Sequence, residues 1–363
     1  SRVAMAANSK TPAASKEAAP KKKGLTFLKS GQASWNLMLV ALFVLEFVIF
    51  GAANPKFLKP QLLLTSIDDS MSVMIISLFV TFVMITGGID IQVASLVGLT
   101  SIIIGVTWQD FGFSILQSCL LAIVVAAACG ALSGFFIAYC GVQAMVVTLG
   151  GSFLYSGIAL LVSTLSSTAS YQGIGNFPDE FKVIGQYKIG GVIPLQIVIY
   201  IVLLVIAFIL LHKTKYGRKI FLCGVNPSAA EFSGINSRRV IMSTYILSGI
   251  AAAIAGIILT SYLGTAKSDL GSDLTMDIVT AVVLGGTLST GGKGSVFGTA
   301  LSSLVIALLR FGLPLCFKIG TQYLDIPVGI LLVAIIVGRS VASHQSVGTT
   351  VKSLFFRKDA QKA

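Results

Sequence analysis

The sequence predicts an all-α polytopic membrane protein with about ten transmembrane helices. Hydrophobic residues make up 55% of the 363-residue chain, charged residues only 11%, and the mean hydropathy is +0.90. So few charges could not cover the two soluble domains that this length would otherwise suggest. Several apolar runs approach or exceed the length needed to cross ~30 Å of hydrocarbon. The 37 glycines fit the same class, because membrane helices tolerate glycine and use it to pack closely.

Residues 1–30 are rich in Ala, Ser, Lys and Pro, with Lys21, Lys22 and Lys23 in a row. Nothing there can bury a core, so a disordered basic cytoplasmic tail is expected. The next apolar run is too long for a secretory signal and lacks a small-residue cleavage site, so it reads as a first span. Spans are expected at about 36–53, 70–86, 91–108, 114–139, 143–165, 192–211, 240–262, 278–290, 296–313 and 322–338. Those at 70–86, 91–108 and 278–290 are short or interrupted by glycine. Together they define a transmembrane domain over 31–340, followed by a cytoplasmic tail over 341–363.

Lysine and arginine set the orientation. With the N-terminus inside, cytoplasmic segments carry 19 of them and external loops six, while Arg310 lies within a span. That bias places both termini in the cytoplasm, which requires an even number of spans. The net charge of +12 therefore belongs to loops and tails beside the lipid bilayer. A nucleic-acid partner is excluded on that ground. Two external segments, 166–190 and 263–277, are candidate docking surfaces, and Pro178 can open a short surface helix in the first. The five cysteines are scattered without paired spacing, and His212 and His344 cannot form a metal site alone.

The longest polar interruption, residues 212–239, contains a short helix with a marked start and stop. Asn226 can cap it, and Pro227 suits its first position because proline lacks the donor that would be orphaned there. Ala229, Ala230, Glu231 and Phe232 continue it, and Gly234 is a ready left-handed stop. The expected helix is about two turns, roughly 10 Å long. Lys213, Lys215, Arg218 and Lys219 precede it, and Arg238 and Arg239 follow.

A second constellation is TGGIDIQVASLVGLTS, residues 86–101. Gly87 and Gly88 break one helix, and Asp90 stands at the start of the next, where the helix dipole favours an anion. Asp90 is either a helix cap or, with Gln92, part of a gate or path. TGGKGSVFGTALSS, residues 290–303, echoes it at an offset of 204 and adds Gly291, Gly292 and Lys293 as candidates. Paired glycine-interrupted segments suggest two pseudo-symmetric halves around a central path.

Chemistry is otherwise scarce. No GxxxxGK[ST] motif is present, so ATP hydrolysis by that route is excluded, and HExxH and GxSxG are absent too. An ion-coupled secondary carrier would have to rely on Asp90 and Glu46. An uphill transporter of this composition must take its energy from a partner.

Several stretches together resemble the permeases of ribose-type ABC sugar importers: GRKIFLCGVNPSAAEFSGIN (217–236), VVLGGTLSTGGKGSVFGT (282–299), GGIDIQVAS (87–95) and VVTLGGSFLYSG (146–157). The likeness extends from about 36 to 340. Within the family, LVALFVLEFVIFGAANP (39–55), YQGIGNFP (171–178), LHKTKYGRKIFL (211–222), SYLGTAKSDLG (261–271) and VGRSVASH (337–344) are most similar to permeases of autoinducer-2 importers. The resemblance implies an ABC importer permease fold in the bacterial inner membrane and a second homologous permease subunit as a heterodimer partner. It also implies a cytoplasmic ABC ATPase and a periplasmic solute-binding protein. This chain would be no enzyme and would bind no cofactor; ATP and Mg would sit on the ATPase. The segment Asn226–Gly234 would be the coupling helix, with Glu231 and Phe232 reaching the ATPase. Autoinducer-2 is the expected solute, with ribose or a related monosaccharide or polyol as the alternative. Gln92 and Ala94 stand where ribose permeases usually have Ser and Gly, which puts ribose itself in doubt.

Overall fold

A computed structural model describes residues 31–343. Both expected tails therefore lie outside the described residues, apart from 341–343, which continue the last helix. Fourteen α-helices appear among the described residues: α1 (Gly31–Ala53), α2 (Pro60–Asp69), α3 (Met71–Ile85), α4 (Val93–Gln109), α5 (Ile115–Ala138), α6 (Ala144–Ser163), α7 (Asp179–Gln186), α8 (Leu195–His212), α9 (Lys215–Val225), α10 (Pro227–Phe232), α11 (Ser237–Leu263), α12 (Leu274–Leu284), α13 (Val296–Phe317) and α14 (Asp325–Ser343). A two-residue antiparallel pair, Lys188–Ile189 with Ile193–Pro194, closes a turn before α8.

Each of the ten expected apolar stretches falls on a helix. Six of these helices, α1, α5, α6, α8, α11 and α13, are long and apolar enough to cross a membrane. The pair α2 and α3 passes the same test jointly but is bent by 55° at the break, giving a seventh. The remaining apolar helices, α4, α12 and the start of α14, are shorter. Ten full-length spans are therefore more than helix length alone supports. Glycine pairs end α3 and α12, at Gly87–Gly88 and Gly285–Gly286, where a continuous span would have run on.

Burial explains which helices are central. Every residue of α3 is buried, as is every residue of α4 from Val93 to Val106, so neither has a polar face. The long helix α11 packs against α3, α4 and α5. By contrast α5, α6 and α8 expose apolar side chains such as Val124, Phe153, Leu161 and Ile201, as lipid-facing helices do.

The segment 164–194 does not stand free. Pro178 opens α7 as its spacing predicts, but Phe181 on α7 is buried and stacks on Phe177, which meets Trp108. Ser261 Oγ on α11 donates to Phe181 O at 2.5 Å and accepts from Gly185 N at 2.8 Å. At the α4 end, slight burial raises the Asp110 carboxyl. Hydrogen bonds from Ser167 and Ser166 outweigh that effect and hold it below the usual carboxylate range.

The segment 264–273, part of the candidate docking loop 263–277, folds back against α4. Ala266 pairs with Ile174 in an antiparallel bridge, Lys267 N donates to Ser101 Oγ at 3.2 Å, and Thr275 Oγ1 donates to Ile91 O at 3.4 Å. The chain thus runs back along α4 from Ser101 to Ile91. Its backbone fits there because Gly98 has no side chain; a Cβ would lie 2.3 Å from Ser268 O. Irregular backbone at such depth persists only where protein covers it or a wet cavity adjoins it.

Candidate functional site

The short helix on the polar interruption is α10, and its caps follow from local chemistry. Asn226 is extended, and its Oδ1 accepts from Ala229 N at 3.0 Å, while Pro227 takes the first position. At the other end Gly234 N donates to Glu231 O at 2.9 Å and Ile235 N to Ala230 O at 3.0 Å, with Gly234 at φ 81°. Those two bonds form a complete Schellman stop, possible because glycine alone enters the left-handed region without cost. Ala230 is buried and seats the helix, and Ser237 Oγ donates to Pro227 O at 3.1 Å. Glu231 is exposed, and Phe232 is 94% exposed. Phe232 thus stands as a large apolar ring almost fully exposed on a short helix capped at both ends.

The preceding segment holds a feature that sequence reasoning missed. Residues read as basic loop form α9, which Thr214 caps by accepting from Gly217 N at 3.2 Å. Gly217, Ile220 and Cys223 face inward at spacings of three. Thr214 and this spacing were the available signals, masked by four basic residues.

The end of α9 brings the candidate residues together. Gly292 N donates to Ile85 O at 2.8 Å. Gly224 lies against the same carbonyl: a Cβ there would be 1.8 Å from Ile85 O and 2.7 Å from Gly292 N. A Cβ on Gly291 would be 2.9 Å from both Gly224 O and Gly87 N. So Gly291 and Gly292 meet the last turn of α9 at Gly224, two residues before the Asn226 cap, and Gly87 lies against Gly291. Backbone rests on backbone, and little can give. Gly224, absent from the expected site, is the centre of this junction.

Asp90 and Gln92 leave the junction for the interior. Asp90 is 1% exposed, and Ser248 Oγ on α11 donates to its Oδ2 at 2.7 Å. Gln92 Oε1 accepts from Ser133 Oγ at 2.6 Å, and α6 passes beside it at Gly151. Tyr245 packs over Gly88 and its hydroxyl reaches Ile89 O at 3.5 Å. Lys293 is exposed, and its carbonyl accepts from Leu288 N at 3.0 Å, which closes the 288–293 loop.

The helix before each of the two echoing segments ends in the same kind of stop. At the end of α3, Gly88 N donates to Val83 O and Gly87 N to Met84 O, with Gly87 at φ 83°. At the end of α12, Thr287 N donates to Val282 O and Gly286 N to Val283 O, with Gly286 at φ 92°. A stop built like that at Gly87 therefore stands at Gly286, as it does at Gly234, and not at Gly291. Repetition of the letters Thr-Gly-Gly misplaced it, because helix stops are matched by backbone geometry. Among the described residues there is no cluster of His, Cys, Asp and Glu able to hold a metal, and His212 instead accepts from Val296 N at 3.3 Å.

A bundle of membrane-length apolar helices around discontinuous central ones, carrying a capped solvent-facing helix, defines a transport-type membrane subunit. The chain belongs to the family described as branched-chain amino acid transport system / permease component, which matches residues 62–337. It is 39% identical over 311 residues to the autoinducer 2 import system permease protein LsrD of Escherichia coli (strain SMS-3-5 / SECEC), covering 86% of this chain and 93% of that protein. The LsrD of Shigella flexneri gives the same identity and coverage. The LsrD of Klebsiella pneumoniae subsp. pneumoniae is 38% identical over 326 residues, covering 90% and 97%. No solved structure matches the chain.

Proposed function

We propose that this chain is a multi-pass permease subunit of an ATP-driven importer in the bacterial inner membrane, with both termini cytoplasmic. Its solute is a small sugar-like molecule, autoinducer-2 first and ribose or a related polyol second; the relatives named for autoinducer-2 import support that order. The chain catalyses no reaction. It works beside a second, homologous permease subunit and a periplasmic solute-binding protein, and ATP and Mg are bound by a separate ATPase.

One observation carries the reading: α10, capped at both ends, presents Glu231 and Phe232 outward, while Gly224 near the end of the preceding helix α9 rests directly on Ile85 and Gly292. Phe232 fills an apolar notch on the ATPase and Glu231 pairs with a base at its rim. When the ATPase moves α10, α9 moves with it as a rigid body. Backbone contacts at Gly224 then pass the displacement to the end of α3 and to the 288–293 loop. The segments carrying Gly87, Gly88, Asp90 and Gln92 on one side, and Gly291, Gly292 and Lys293 on the other, shift as the gate. Uptake by cells expressing the full system, with autoinducer-2 and ribose in competition, tests the solute. Autoinducer-2 should be taken up and ribose should compete weakly; uptake of neither would refute the transport reading.

A further inference from the structure

Between α4, α6 and the returning 264–273 segment lies a cavity of about 110 Å³ lined mostly by serines, with Asp269 and Thr275 and the apolar Ala94 and Leu270. Ser156 Oγ donates to Ser95 Oγ at 2.9 Å, and Ser95 Oγ and Ser152 Oγ are hydrogen-bonded at 3.0 Å, with either hydroxyl able to donate. Asp269, Ser272 and Thr275 complete the opposite wall. Ser152 and Ser156 lie near the middle of the 20-residue α6, so the cavity sits close to half the membrane depth. Asp269, Ser272 and Ser156 are exposed there. A carboxylate at that depth cannot face acyl chains. This side of the molecule therefore faces water or a water-lined interface with the second permease subunit.

The hydroxyls also define what the water-filled space can hold. Three serines carry three protons, and the two bonds among them use two, so one donor and several lone pairs remain for a guest. A sugar hydroxyl both donates and accepts, and matches that set. Asp269 repels an anion, and one carboxylate beside neutral hydroxyls is a poor cage for a cation. We infer that Ser95, Ser152, Ser156, Ser272 and Thr275 form a contact site for a small uncharged polyhydroxylated solute on its path through the membrane. The inference rests on the transport reading and adds the place and the chemistry of recognition. Helix packing alone would use serines in pairs between helices, but would not leave Ser156 and Asp269 in the open.

The test uses the assembled importer with its native cysteines replaced. Ser156→Cys should react with a membrane-impermeant maleimide, and autoinducer-2 or ribose should slow that reaction at least threefold. Phe153→Cys, on the same helix but on the apolar exposed side, should react at least tenfold more slowly. In parallel, S152A/S156A should lower uptake about tenfold and bring the ribose to 2-deoxyribose uptake ratio towards one, while receptor-stimulated ATP hydrolysis stays within twofold. If Ser156→Cys is as inert as Phe153→Cys, or if it labels but uptake and ratio match wild type, the site is wrong and the transport reading stands. If the unmutated importer takes up no sugar or autoinducer-2, the transport reading fails and this inference with it.

Discussion

Gly224 has no room for a methyl group. A Cβ placed there would sit 1.8 Å from the Ile85 carbonyl, and both neighbours are backbone, which cannot rotate aside. Gly224→Ala should destabilise the protein by about 1–3 kcal/mol, the usual cost of overpacking, and reduce uptake. Gly150, within α6 and with nothing inside 4 Å of its would-be Cβ, is the control. Gly150→Ala should be neutral or stabilising by up to about 1 kcal/mol, as for a glycine relieved within a helix. Thermal unfolding of the two purified variants decides the matter, and equal midpoints would refute the tight junction. Asn226 makes a second single-residue claim. Asn226→Ala should cost about 1 kcal/mol of helix stability, while Asn226→Asp keeps an acceptor for Ala229 N and should cost much less. Hydrogen exchange at Ala229 would read that difference.

At the scale of elements, α10 was legible because caps are local: Asn-Pro at the start and glycine at the stop act within four residues. The junction was not legible, since Ile85, Gly224 and Gly292 are far apart in sequence and meet only through the fold. The α12 stop shows a related limit, because the residues Thr-Gly-Gly recur at 290–292 while the matching stop uses Gly286. A charged cluster ties the last helices together. Arg310 Nη2 on α13 donates to Asp277 Oδ1 on α12 at 2.6 Å and to Asp325 Oδ1 on α14 at 2.7 Å. The two arms differ in worth, because the Asp277 side chain is 16% exposed and that of Asp325 is 84% exposed. Asp325→Asn should change stability by less than about 1 kcal/mol. Arg310→Met should cost more, on the order of 2–3 kcal/mol, because it strands the sheltered carboxylate of Asp277. Chemical denaturation in detergent measures both, and the reverse order would show that the exposed arm dominates.

At the scale of the whole molecule, the positions of the apolar helices could be read in advance, since a chain in lipid must satisfy its backbone internally. How many cross in full could not, because continuity depends on where the glycine stops and the returning 264–273 segment lie in space. The serine cavity was hidden for the same reason: Ser95 lies 57 residues from Ser152 and 61 from Ser156, with no shared motif. The proposed mechanism joins these parts, with force entering at α10 and a polar path opening around α4. The direct measurement is receptor-stimulated ATP hydrolysis together with solute uptake in the reconstituted importer carrying Glu231→Arg or Phe232→Asp. Both variants should insert and assemble as membrane proteins yet lose uptake at least tenfold, with ATP hydrolysis no longer responding to the receptor. Wild-type uptake and stimulation in both would contradict the assignment of α10 as the coupling helix.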